Sequence, residues 1–141
     1  MELTEPAQIR ALLAATRRIA VLGVKPESMA TQPAFYVPQY LQRAGFDVIP
    51  VPVYYPELTT ILGVAIYRRL ADVPGAIDLV DVFRRGPDID QHLDDLLAAK
   101  PRAVWFQQGI RNDRVARILT DAGIDVVQDR CLMVDHQRLG A

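Results

Sequence analysis

Short apolar runs and amphipathic stripes alternate along the whole chain, and three of them end in a glycine. Ile19-Ala20-Val21-Leu22 runs into Gly23. Val37, Tyr40, Leu41 and Ala44 fall at i, i+3, i+4 and i+7 before Gly45, and Val115, Ile118, Leu119 and Ala122 do the same before Gly123. Continuous apolar runs of this length suit strands buried on both faces, and the second spacing suits helices with one apolar side. Parallel neighbours need long crossovers, so their alternation predicts a mostly parallel sheet with helices on both faces. The expected fold is α/β, a three-layer αβα sandwich around a mostly parallel five-stranded sheet.

The strands are predicted at residues 19–22, 47–53, 77–83, 103–106 and 125–127. Thr4-Glu5-Pro6 starts a helix to about residue 15, with Ile9, Leu12 and Leu13 on one face. Pro38 places the first turn of the next helix near itself. Gly86-Pro87 opens a third with Ile89, Leu93, Leu96 and Leu97 inward, and Asn112 caps a fourth. Between 54 and 75 the pattern is weakest, with a turn at Ile61-Leu62-Gly63 and a small strand at 64–67.

The 141 residues fit one domain, residues 1–141, with 50% hydrophobic residues to fill a single core. A formal net charge of −1 gives no global field for nucleic acid or an anionic membrane. Cys131 is the one cysteine, which excludes an intrachain disulfide and a multi-thiolate zinc site and suits a reducing cytoplasm. The first fifteen residues carry Glu2 and Glu5 and no long apolar stretch, so neither export nor membrane insertion is expected. Whether the chain self-associates or meets a protein partner stays open.

Ligands of open parallel sheets bind beyond the carboxyl ends of the strands, at the switch point. The loops to search are therefore 23–33, 52–56, 84–87, 107–112 and 128–131. In the first, Gly23 lets a phosphate approach the backbone, and Lys25 and Ser28 can bind its oxygens. A Walker-type G-x-x-x-x-G-K-[ST] is missing, as are the G-x-G-x-x-G and the strand-end acid of a dinucleotide reader. Instead the second strand ends in Val51-Pro52, an apolar rim that can seat an adenine ring or an alkyl arm. Arg84 and Arg85 can clamp phosphate oxygens while Phe83 packs on a flat ring. Gln108, Gly109 and Ile110 add a polar turn with no acid or base.

Catalytic residues are few. His92 falls within a helical pattern, and Cys131 with His136 is the single nucleophile–base pairing on offer, without a spacing that fixes its geometry. No catalytic residue and no metal ligand set is assigned. An NAD(H)- or nucleotide-binding regulator and an acyl-transfer or thioesterase enzyme using Cys131 remain as alternatives to a plain binding module.

Taken together, Ile19 to Gly23, Val37 to Leu41, Val80-Asp81-Val82-Phe83-Arg84, Val104 to Ile110 and Asp129-Arg130-Cys131 resemble the small single-domain CoA-binding protein family. That family's fold is similar to the CoA-binding domain of the succinyl-CoA synthetase alpha subunit. The resemblance implies a Rossmann-like domain that binds coenzyme A or an acyl-CoA. Gly23, Val24 and Lys25 would match the phosphate loop, Val51 and Pro52 the second-strand site, Phe83 and Arg84 the third, and Gly109-Ile110 the fourth. Val37 belongs to the matching helical motif. Relatives tend to carry Asn-Pro after the second strand where this chain has Pro52-Val53, so a polar contact is missing there. No phosphorylated-histidine loop is present, so ligase activity does not carry over.

Overall fold

The computed structural model describes residues 1–140. Helix α1 (Pro6–Ala15) begins at a proline whose missing N–H costs nothing in a first turn, and the Gln8 side chain accepts the Glu5 N–H. Strand β1 (Arg18–Leu22) follows, then helix α2 (Pro33–Arg43) and strand β2 (Asp47–Val51). A small antiparallel hairpin, β3 (Thr60–Ile61) and β4 (Val64–Ala65), precedes β5 (Leu79–Val82). A 3-10 segment, Gly86–His92, leads into α3 (Leu93–Ala99), and β6 (Ala103–Phe106), α4 (Asp113–Asp121), β7 (Asp125–Val127) and α5 (Leu132–Leu139) complete the order.

All five strands of the main sheet are parallel, in the order β2-β1-β5-β6-β7, so the predicted "mostly parallel" sheet is fully so. The chain moves from β1 to one side for β2 and returns to the other side for β5. The switch point therefore lies between β1 and β5. Ile9, Leu13, Val37, Leu41 and Leu132 from α1, α2 and α5 pack with Ile19, Val21 and Trp105 on one face. Ile89, Leu96, Val115 and Leu119 pack with Leu22, Val82 and Phe106 on the other.

Several boundaries differ from expectation, each for a local reason. Strand β2 stops at Val51 because its partner β1 stops at Leu22, directly opposite, and Pro52 has no N–H to extend a ladder. The third strand is shorter than 77–83. At its start the Asp78 side chain caps the Arg17 and Arg18 N–H groups, at 2.9 Å each, ahead of the first paired residue, Leu79. Helix α2 starts at Pro33, and Pro38 lies inside it rather than at its first turn. Without an amide, Pro38 leaves the Ala34 carbonyl free, and that carbonyl accepts the Lys25 N–H at 3.1 Å. Helix α5, absent from the expected elements, is capped from a distance: the Gln107 Oε1 accepts the Leu132 N–H at 3.1 Å. Asn112 caps α4 as expected, accepting the Val115 N–H at 2.9 Å.

Candidate functional site

The carboxyl ends of β1, β5 and β6 open into a cleft of about 520 Å³. It is lined by the cationic Lys25, Arg84 and Arg85, the apolar Ala34, Tyr36, Phe83 and Ile110, the polar turn Gln107, Gln108 and Gly109, and Cys131. A smaller recess bordered by Gly23, Val24, Val53, Tyr54 and Tyr55 adjoins it, sharing Lys25, Phe83 and Arg84.

Backbone geometry allows this convergence at two glycines. Gly23 has φ of 86°, and a Cβ there would sit 2.4 Å from the Phe83 carbonyl oxygen. The ends of β1 and β5 thus approach more closely than any other residue permits. Gly86 meets the next loop in the same way, because its Cβ would lie 2.3 Å from the Arg111 carbonyl oxygen. The Gly23 N–H is spent on the Val51 carbonyl at 2.9 Å, whereas the Val24 N–H gives no hydrogen bond to another backbone group among the described residues. The Gly109 N–H is also spent, on Asp129 Oδ1 at 2.6 Å. Of these loop amides, that of Val24 has no backbone partner, and Val24 itself is buried at the base of the recess.

The cations are held differently. Lys25 Nζ donates to Gln32 Oε1 beside the start of α2, a place where a cation opposes the helix dipole and an anion would relieve it. Arg84 Nε donates to His92 Nε2 at 3.2 Å, and its guanidinium lies 5.8 Å from the centre of the Tyr54 ring. Arg85 is mostly solvated and pairs with Asp88 at 3.1 Å; that hydrogen bond holds the Asp88 carboxyl below the ordinary range.

The residues singled out in the sequence divide into three groups. Lys25, Phe83, Arg84, Arg85, Gln108, Gly109 and Ile110 converge on the cleft, and Gly23 and Val24 border the recess. Ser28 is exposed on the 3-10 turn Glu27–Met29 and does not line the cleft. Val37 and Val51 are core residues of α2 and β2, and Pro52 is buried at the end of β2. Val51 serves the site through its carbonyl on Gly23. Gln32, Ala34, Tyr36 and Tyr54 were not anticipated; Pro33 was the available signal, because a proline at a first helical turn puts residues 32–36 at the sheet's carboxyl end.

The structure does not unite Cys131 with His136. His136 Nδ1 shares a 2.7 Å hydrogen bond with the Tyr40 hydroxyl and faces a separate cavity beside Thr16, Arg17 and Phe46. Among the described residues, no three of His, Cys, Asp and Glu gather where they could hold a metal ion, and no helix is long and apolar enough to cross a membrane.

A family model described as a CoA binding domain matches residues 17–137. The uncharacterized protein YneT of Bacillus subtilis (strain 168) is 32% identical over 136 residues, which cover 96% of this chain and 97% of YneT. Among solved structures, cell-free ID.343 from Thermus thermophilus is 39% identical with a TM-score of 0.87, over 96% of this chain and 99% of that one. A hypothetical protein from Pyrococcus horikoshii OT3 is 29% identical, also with a TM-score of 0.87, over 98% of this chain and 94% of its own.

Proposed function

Because the chain belongs to the CoA-binding domain family, we propose that it binds coenzyme A or an acyl-CoA in the cleft at the switch point, as a single-domain, non-catalytic module of the cytoplasm. The observation that carries this reading is the mixed lining of the cleft, cationic and apolar together. Lys25, Arg84 and Arg85 supply cationic donors, and Ala34, Tyr36, Phe83 and Ile110 supply an apolar wall among them. Coenzyme A pairs an anionic nucleotide diphosphate with a neutral thiol-bearing arm. The diphosphate suits Lys25 and the Gly23 turn, and the arm suits the apolar wall.

Binding rather than turnover is the reading because the base that Cys131 would need, His136, is engaged with Tyr40 in another cavity. The test is native purification followed by denaturation and mass spectrometry of the released small molecules, with calorimetric titration of coenzyme A, dephospho-CoA and acetyl-CoA into stripped protein. Release of a CoA species, or a saturable heat with CoA, is the expected result. Neither, at protein concentrations well above micromolar, overturns the reading.

A further inference from the structure

Arg84 meets two residues from separate segments, His92 at the end of the 3-10 segment and Tyr54 in the loop after β2. The hydrogen bond from Nε to His92 Nε2, at 3.2 Å, lies in the guanidinium plane and sets its rotation. The guanidinium carbon also lies over the Tyr54 ring, 5.8 Å from its centre, within reach of a cation–π attraction. With Nε occupied, the two Nη groups make no hydrogen bond among the described residues and are left to the cleft that Arg84 lines. Paired nitrogens of this kind match phosphate oxygens two at a time.

The loop carrying Tyr54 is strained in a way that core packing does not explain. Tyr55 sits at φ of 66°, an uncommon conformation for a bulky residue. Arg68 pins the segment by donating to the carbonyls of Tyr54, Tyr55 and Leu58 at 2.9, 2.8 and 3.1 Å. Yet Tyr54 remains 66% exposed. Strain and clamp together place an aromatic ring beside a guanidinium at the cleft mouth and bury little of it. His92 is half-buried; that burial, and next the Arg84 charge, lower its pKa, with Asp95 and Asp88 acting against them. The imidazole is therefore neutral at pH 7, and Nε2 is free to accept.

We infer that Tyr54 and His92 are positioning residues that hold Arg84 as a preset fork for a phosphate group of the ligand. This deepens the CoA reading and rests on it. The test is a set of double-mutant cycles read by calorimetry with CoA, and by NMR titration with inorganic pyrophosphate as a second, simpler anion. His92→Leu and Tyr54→Leu are each expected to weaken binding about five- to tenfold, the scale of one ordinary hydrogen bond. His92→Gln, which keeps an acceptor, and Tyr54→Phe, which keeps the ring, are expected to restore affinity to within about twofold, a rescue that a general loss of stability would not give. In an Arg84→Ala background neither leucine substitution should weaken binding further. Equal losses with and without Arg84, or no loss in its presence, overturn the inference. Pyrophosphate binding with normal coupling but no CoA binding removes the CoA reading and keeps the fork; binding of neither removes both.

Discussion

The Lys25 N–H donates to the Ala34 carbonyl at 3.1 Å, and that carbonyl is free because Pro38, one helical turn later, has no amide to give it. A proline that is unfavourable inside α2 thus anchors the first loop of the cleft to the first turn of the helix. Pro38→Ala adds the missing donor and lets α2 close on itself. Amide hydrogen exchange at Lys25 is expected to accelerate about tenfold while the thermal midpoint holds or rises, since an interior proline costs a helix roughly 3 kcal/mol. Unchanged exchange at Lys25 would show that the loop is held by its other contacts.

Gly23 and Gly45 both lie at positive φ, 86° and 105°, but differ in their surroundings. A Cβ on Gly23 would meet the Phe83 carbonyl oxygen at 2.4 Å, and one on Gly45 would meet nothing within 4 Å. Gly45→Ala should therefore cost about 1 kcal/mol of backbone strain alone. Gly23→Ala should cost about 2–4 kcal/mol, because the ends of β1 and β5 must also separate. Urea melts of the two variants give the comparison, and equal losses would mean that the close approach at Gly23 is soft.

What the sequence reveals here is whatever is decided within a few residues. The strands at 103–106 and 125–127 and the Asn112 cap match expectation, because a short apolar run or a capping side chain carries its own signal. Boundaries set by a neighbour do not. Apolar character runs on past Val51, but β2 ends where β1 ends. Helix α5 depends on Gln107, 25 residues earlier, to accept its Leu132 amide. The site follows the same division. Loops after strands could be located by rule, which brought Lys25, Phe83 and Arg84 together. The Tyr54–Arg84–His92 set could not, since three loop conformations had to be known first.

Asp81 shows the same limit in the core. It is fully buried on β5 between Val21 and Trp105, and neither carboxyl oxygen has a hydrogen-bond partner among the described residues. Burial pushes its pKa well above the ordinary carboxylate value. The folded chain therefore keeps a proton that the unfolded chain releases near pH 4. A group whose folded pKa is raised contributes fully below its unfolded pKa and loses that contribution as pH rises toward the folded value. The loss is about 1.4 kcal/mol per pH unit. Asp81→Val, β-branched to suit the strand, should match the parent near pH 4 and exceed its stability increasingly toward pH 8. Subtracting the two pH–stability curves isolates the effect, and a flat difference would mean that Asp81 has found a partner.

Cys131 lines the same cleft, just before α5, and is partly exposed. Its neighbour Arg130 is anchored by a two-pronged ion pair to the buried Asp135, at 2.6 and 3.0 Å, and its carbonyl accepts the Trp105 indole N–H at 2.7 Å. The thiol is thus fixed relative to β6 rather than carried on a loose end. A ligand filling the cleft between Lys25 and Ile110 must pass close to it and shield it. Alkylation of Cys131 by iodoacetamide, followed by intact mass, should slow at least about fivefold in saturating CoA, and alkylated protein should in turn bind CoA more weakly. Protein without the thiol, Cys131→Ser, should take up no label and so confirm the position. A labelling rate indifferent to CoA would move the ligand off this cleft, and with it the assignment of Lys25, Phe83 and Arg84 as its contacts.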